Sequence, residues 1–430
     1  MASERLGVVR EGTVLATLER LSPDDLRLTF EPQIVDEAQG QPIVSTSLLV
    51  RAEPYRRDEL LPFFEGLLPE EAVRLRLARR LRLDANDVFG FLREIGRDCA
   101  GALSLLPEDV DPTRRDPGDV VWLDERELAV KISELGERPL AVEPGQDIRI
   151  SLAGAQDKMA VVAEGPRIGL PRGLLPSTHI LKPASREQER GKPRYPALVA
   201  NEAFCLALAG LVGIRVPTPS LRTIAGEKAL LIERYDRVRV DGRVSRLHQE
   251  DFCQALGVRT LQKHEADGGP GVDRYLELVR RWSSDVANDV DELIDRIGFN
   301  YLIGNADAHA KNFSLLYSAD GIRLAPAYDV LSTHLYTALS KEMATSVAGI
   351  FDPGALKPLH WKRWLTTLDL SSQRYGTRLA DLAGRVQGAL PDAHRWAQER
   401  DIDDPHLRKL DEVVAERAKR LGGLRRATAA

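Results

Sequence analysis

The chain has 430 residues, 43% hydrophobic and 29% charged, enough apolar material to bury a large core in two or three domains. Its formal net charge of −5 excludes a global basic field favouring nucleic acid, so any such contact must be local. There is no cationic, apolar secretory pattern and no apolar run of membrane-spanning length, and Cys99, Cys205 and Cys253 lie far apart in apolar contexts; the expectation is a soluble cytoplasmic protein with reduced core thiols and no membrane partner.

Residues 1–110 read as a small α+β unit, with strand-like runs at 6–10 and 12–17 and helical segments around 63–70 and 88–96. A stretch dense in proline and charge at 107–118 opens a connecting segment, 111–147, that holds one short helix near 128–135. From residue 148 to 232 strands dominate. One runs over 158–163, turns at Gly165-Pro166 and is followed by a strand over 178–182 that ends on Lys182. A helix over 197–212 closes at Gly213, and a strand pair follows at 221–224 and 229–232. Residues 233–430 are mainly helical in periodicity. There the apolar run 299–303 stops at Gly304, which puts Asp307 on the loop leaving a helix; a strand at 313–317, a turn at Asp320-Gly321 and a second strand through Leu324 deliver Asp329.

Asp307, Asn312 five residues on, and Asp329 one hairpin later are the parts a phosphoryl-transfer site of the protein-kinase type needs. An aspartate takes the proton of the attacking hydroxyl, and a carboxamide with a second aspartate offers hard oxygens to magnesium on the phosphates of ATP. Lys182 at a strand end fits the lysine that grips those phosphates. Glu202 stands equally as its helix partner or as an acid favoured by a helix N-terminus. No glycine-rich GxGxxG precedes the lysine strand. Ser151, Ala153, Gly154, Ala155, Gln156, Asp157 and Lys158 occupy that place, and small residues there let backbone N–H groups approach phosphate. Glu233, Arg234 and Tyr235 follow the last strand where an adenine-binding hinge belongs. Lys311 is placed to neutralise charge on the transferring group, and His309 reads equally as a site residue or as loop packing. No His or Cys pair has zinc-ligand spacing, and the basic C-terminal run, Arg417 to Arg426, reads as a helix end before it reads as a DNA patch.

Taken together, residues 151–158, the lysine strand, Glu-Arg-Tyr-Asp-Arg at 233–237, His-Gln-Glu-Asp-Phe-Cys-Gln at 248–254, Asp-Ala-His-Ala-Lys-Asn at 307–312 and Ala-Tyr-Asp at 327–329 resemble the HipA toxin kinases of bacterial toxin–antitoxin modules. Phe-Phe-Glu-Gly-Leu-Leu-Pro-Glu at 63–70 is similar to that family's N-terminal subdomain, so the resemblance spans nearly the whole chain. It implies an α+β, protein-kinase-like bilobal fold: a small α+β N-terminal subdomain (1–110), a β-rich N-lobe (148–232) and a helical C-lobe (233–430). It implies a serine/threonine protein kinase using ATP and Mg2+ on a protein substrate, a translation component such as an aminoacyl-tRNA synthetase. Asp307 would be the catalytic base, and Asn312 and Asp329 would hold the metal. The nucleotide would meet the 153–158 loop, Lys182, Glu233, Arg234, Tyr235, His309, Ala310, Lys311, Asn312, Tyr328 and Asp329. Ser151 would be autophosphorylated, adding close to two negative charges beside the nucleotide and switching the kinase off. The implied partners are a HipB-like helix-turn-helix antitoxin dimer and, mainly through it, operator DNA. A small-molecule phosphotransferase and a catalytically silent co-repressor docking an antitoxin on DNA are the alternatives. The loop serine and N-terminal subdomain argue against the first, and the intact Asp307, Asn312, Asp329 and Lys182 set against the second.

Overall fold

The computed structural model describes residues 4–23, 25–113, 119–135, 157–173, 175–189, 191–240 and 242–429. Near the N-terminus, strands Glu4–Arg10 and Thr13–Ser22 pair across the two-residue turn Glu11-Gly12, where both residues have positive φ, 53° and 83°, the primed-turn geometry that matches strand twist. Asp25–Phe30 and Tyr55–Arg56 extend this antiparallel sheet on one side and Ser104–Pro107 on the other. Alternation turns Leu6, Val8, Leu18 and Leu28 inward, where they meet Phe63 and Phe64 from helix Arg57–Gly66 and Phe89 and Phe91 from Val88–Ile95.

A second sheet runs Pro219–Ile224, Glu227–Glu233, His179–Pro183, Met159–Glu164, Arg167–Pro171, Val120–Leu123. The last of these strands and the helix after it, Glu125–Glu134, lie inside the segment expected to be a connector. Val-Val-Trp-Leu adds an edge strand, Asp124 caps the helix by accepting from Glu127 N at 2.8 Å, and Leu128, Ile132 and Leu135 join Met159, Val161, Leu181 and Leu231 in one cluster. The strand's partner sits some fifty residues away, so local proline and charge density gave no sign of it.

The remaining core is helical. The 27-residue helix Ser372–Gln398 lies against Val286–Ile303, Pro405–Gly422 and Leu198–Leu211. Phe204 of Leu198–Leu211 is buried in the same cluster as Phe252, Tyr275, Phe313 and Trp361, so this helix rests on the helical lobe while its other side serves the second sheet. The three cysteines are buried and unpaired, and Arg417 of the basic C-terminal run is a core contact, donating to Tyr301 O at 2.6 Å. No described helix is long and apolar enough to cross a membrane.

The N-terminal unit is fastened to the helical lobe by buried polar groups. Glu250, on strand His248–Asp251, accepts from Ser45 Oγ at 2.5 Å, Thr46 N at 2.9 Å and Tyr317 OH at 2.5 Å; burial pushes its carboxyl up to about 6. His248 Nε2 donates to Val44 O at 2.8 Å, and burial pushes the imidazole down to about 4. A buried neutral histidine contributes stability fully above its unfolded value of 6.5 and loses it as pH falls toward 4, at about 1.4 kcal/mol per pH unit. Glu250 works in the opposite sense over its own window, 4.5 to about 6, because protonation suits its buried site. The difference between wild type and His248→Gln therefore isolates the histidine. Urea midpoints at pH 7 and pH 5 are expected to fall less in the variant; equal falls would remove His248 from the acid response.

Candidate active site

Helix Val286–Ile303 ends at Gly304, whose φ of 75° turns the chain sharply; a Cβ there would lie 2.7 Å from His334 Cβ. The loop that follows is held by its own main chain. Ala306 N donates to Thr333 Oγ1 at 2.8 Å, Asp307 N to Asn305 Oδ1 at 3.2 Å, and Asn312 Nδ2 to Asp307 O at 3.0 Å. This leaves the Asp307 carboxylate exposed, with His264 Nε2 at 3.2 Å and His309 Nε2 at 3.8 Å from its Oδ1. Partial desolvation raises the carboxyl, but the His264 hydrogen bond and the positive charge of Lys263 outweigh it and keep Asp307 below the ordinary carboxylate range. His309 is itself buried and pushed down to about 4, so it is neutral at pH 7.

The hairpin Ser314–Ser318 and Gly321–Leu324 carries the chain to Asp329, whose φ of 51° is left-handed for a non-glycine residue. Asp329 Oδ1 receives Lys182 Nζ in a very short contact, and the same ammonium donates to Glu202 Oε1 at 2.6 Å. Lys182 and Glu202 are 3% and 1% exposed, so this is a buried charge cluster and not a surface pair. Burial opposes the Lys182 charge, yet Asp329 and Glu202 hold it protonated above the ordinary lysine range; the lysine in turn holds Asp329 ionised. Lys158 is buried as well, and desolvation pulls its ammonium down against the attraction of Asp329. Asp157 pairs with Arg76 Nη2 at 2.9 Å, on the N-terminal unit. Ser151, Ala153, Gly154, Ala155 and Gln156 lie outside the described residues.

At the end of Glu227–Glu233, Glu233 is exposed and paired in register with His179. Arg234 turns inward: its guanidinium grips Asp236 at 2.9 and 2.7 Å and reaches Ser177 Oγ at 3.1 Å, while its N–H donates to Thr178 O. Its side chain therefore braces the bend and does not offer charge to a ligand. Tyr235 stacks on Tyr328 with ring centroids 5.9 Å apart, and Tyr328 OH donates to Lys311 O at 2.6 Å. Ala310 is fully buried and its N–H donates to Lys263 O at 3.2 Å.

Lys311 departs from the expectation that it neutralises phosphoryl charge. Its ammonium is buried and donates to Asp251 Oδ2 at 2.7 Å and Gly66 O at 3.4 Å, with Glu70 Oε1 at 3.6 Å. A buried ammonium with two hydrogen bonds and a second carboxylate beside it is committed to the interior, and the positive charge beside Asp329 comes from Lys182 and Lys158. Glu70 also takes Lys263 Nζ at 2.8 Å, and these two cations outweigh burial to hold its carboxyl down at about 2. Glu70, Asp251 and His264 were not singled out from sequence. Glu70 closes the Phe-Phe-Glu-Gly-Leu-Leu-Pro-Glu segment, and Asp251 opens the capping box Asp251-Phe-Cys-Gln254, whose second oxygen was available for a further bond. No local pattern marks His264.

The chain matches the HipA-like C-terminal domain over residues 150–390 and the HipA N-terminal domain over residues 6–106. The protein Y4mE of Sinorhizobium fredii, named as a candidate kinase, is 37% identical over 419 residues, covering 96% of this chain and 97% of that one. The serine/threonine-protein kinase toxin HipA of Shewanella oneidensis is 29% identical over 348 residues, 77% of each chain. A solved structure of HipA with HipB and its operator DNA, also from Shewanella oneidensis, aligns with a TM-score of 0.80 at 23% identity, over 99% of this chain and 97% of that one, and shows the shared kinase-like fold. Both domain families in chain order, together with a relative matched nearly end to end, show that the chain belongs to the HipA family.

Proposed function

We propose that this protein is an ATP-dependent serine/threonine protein kinase and the toxin of a toxin–antitoxin pair. The observation that carries the reading is Lys182 Nζ held between Glu202 at 2.6 Å and Asp329, whose carbonyl accepts from Asn305 Nδ2 at 3.4 Å where the Asp307–Asn312 loop begins. Asp307 accepts the proton of the attacking hydroxyl as the γ-phosphoryl group transfers, and Lys182 and Lys158 hold the phosphates. The site fits a magnesium ion. Asn312 spends its Nδ2 on Asp307 O, which turns the carboxamide oxygen away from that bond, and Asp329 is an ionised carboxylate. Asn312 and Asp329 would hold magnesium, which supplies positive charge to the phosphate oxygens. The backbone of Glu233, Arg234 and Tyr235 lies against adenine, and the ring of Tyr328 lines the nucleotide site with the 309–312 loop.

Ser151 is the self-inhibitory phosphorylation site in this reading, and the protein substrate is a translation component. The partner is a small DNA-binding antitoxin dimer, which carries the complex to operator DNA; the solved HipA–HipB–operator assembly supports this. The relative named as a serine/threonine-protein kinase toxin supports the activity. Intact mass of the purified chain after incubation with ATP and magnesium is the test. A gain of one phosphate, mapped to Ser151, is the expected result. Unmodified protein that neither gains phosphate nor transfers it to added protein would turn the reading toward a silent co-repressor.

A further inference from the structure

His264 has no part in the phosphoryl-transfer reading, yet its ring stands over the Asp307 carboxylate. His264 opens a short turn, Glu265–Asp267, far from the loop in sequence, and its own carbonyl accepts from Gly269 N at 3.0 Å. Its Nε2 is 3.2 Å from Asp307 Oδ1. From the other side His309 Nε2 approaches the same oxygen at 3.8 Å, and the two imidazoles meet edge to face with centroids 4.9 Å apart. One ligand atom from each of the three residues lies within 4.8 Å of the other two. Ligands bound tetrahedrally at about 2.0–2.2 Å from a zinc ion are about 3.3–3.6 Å from one another, so the spacing needs only small adjustment.

The surroundings suit a metal. His264 Nδ1 has Asp267 Oδ2 at 3.7 Å, a carboxylate behind a ligand histidine. His309 is 6% exposed, and its Nδ1 has no hydrogen-bond partner among the described residues, so no bond there fixes the tautomer and Nε2 is free to be the unprotonated, ligating nitrogen. The Asp307 side chain is 61% exposed, which gives an ion a way in and leaves a coordination position for water. Lys263, whose charge acts on Asp307, has its ammonium on Glu70 at 2.8 Å.

We propose that His264, Asp307 and His309 form a binding site for a zinc-class transition metal, distinct from the magnesium position at Asn312 and Asp329. Two imidazoles and one carboxylate favour zinc or cobalt over magnesium, which takes oxygen ligands. Filling the site takes the carboxylate that the kinase reading needs as its base, so the metal would act as an inhibitor.

The test uses the full-length chain without an affinity tag, freed of metal, with neither nucleotide nor magnesium present. Binding therefore stands or falls independently of kinase activity. Cobalt titration followed by visible absorption, and zinc titration by calorimetry, are expected to show one site per chain. His264→Ala is expected to weaken it at least about tenfold. Asp307→Asn, at an exposed position that does not threaten folding, is expected to weaken it similarly. Absence of binding in wild type at millimolar zinc would overturn the proposal, as would a wild-type affinity retained by both variants.

Discussion

Asp307→Asn is expected to lower phosphoryl transfer by about 10²–10⁴-fold, the range for losing a general base, while leaving the unfolding free energy within about 0.5 kcal/mol of wild type. The two effects separate because the loop does not depend on the carboxylate. Its geometry is held by the Asp307 N–H on Asn305 and the Asp307 carbonyl under Asn312, and both are main-chain groups that the substitution keeps. The carboxylate faces solvent at 61% exposure and is kept ionised by the His264 hydrogen bond and nearby positive charge. An amide of the same shape stays in place but takes no proton. Initial rates with labelled ATP, beside urea unfolding of the same preparation, measure both. Wild-type transfer in the variant would remove Asp307 from the role of base.

Glu70→Ala is expected to cost about 3–5 kcal/mol of stability and to abolish transfer, although Glu70 belongs to the N-terminal unit. Glu70 is 6% exposed and accepts from Lys263 at 2.8 Å, with Lys311 at 3.6 Å. Removing it leaves Lys263 without that anion and Lys311 with Asp251 alone, in a region where uncompensated charge is expensive. The strain falls on the loop that carries Asp307, because Lys311 is next to Asn312 and the Lys311 carbonyl is the acceptor for Tyr328 OH. Glu70→Gln, which keeps the shape and loses the charge, is expected to fall between wild type and Glu70→Ala. Urea unfolding and transfer rate of the three proteins give the answer. If Glu70→Ala unfolds with wild type, the lysines have found other acceptors and the N-terminal unit does not set the loop.

The catalytic-type loop was legible because its signals are local. An apolar helical run ending in glycine, a hairpin marked by Asp320-Gly321 and an acid after it specify the path from Val286–Ile303 through Gly321–Leu324 to Asp329. The helix expected over 197–212 is Leu198–Leu211, and the strand pair around Ala225-Gly226 is Pro219–Ile224 with Glu227–Glu233, since period and turn chemistry decide such elements within a few residues. The edge strand Val120–Leu123 was not legible. Four apolar residues in a proline-rich neighbourhood become a strand only when Arg167–Pro171 is there to pair with them.

By itself, then, the sequence determined the helix after the lysine strand, the strand pair that follows and the loop and hairpin leading to Asp329, and it offered Lys182, Asp307, Asn312 and Asp329 as candidates. Only the tertiary structure decided what each charged side chain faces. Glu202 read equally as a lysine partner or a helix-end acid until packing of Leu198–Leu211 brought it to 2.6 Å from Lys182. Lys311 read as a phosphate neutraliser until Asp251 and Glu70 were found around its ammonium, and the Arg234 side chain was open to a ligand until its guanidinium was found clamped on Asp236, which leaves only its backbone for that role. The physical reason is the same in each case. A long charged side chain reaches many places from one backbone position, and the buried partner that wins is supplied by chain far away in sequence, where desolvation makes any unpaired alternative too costly.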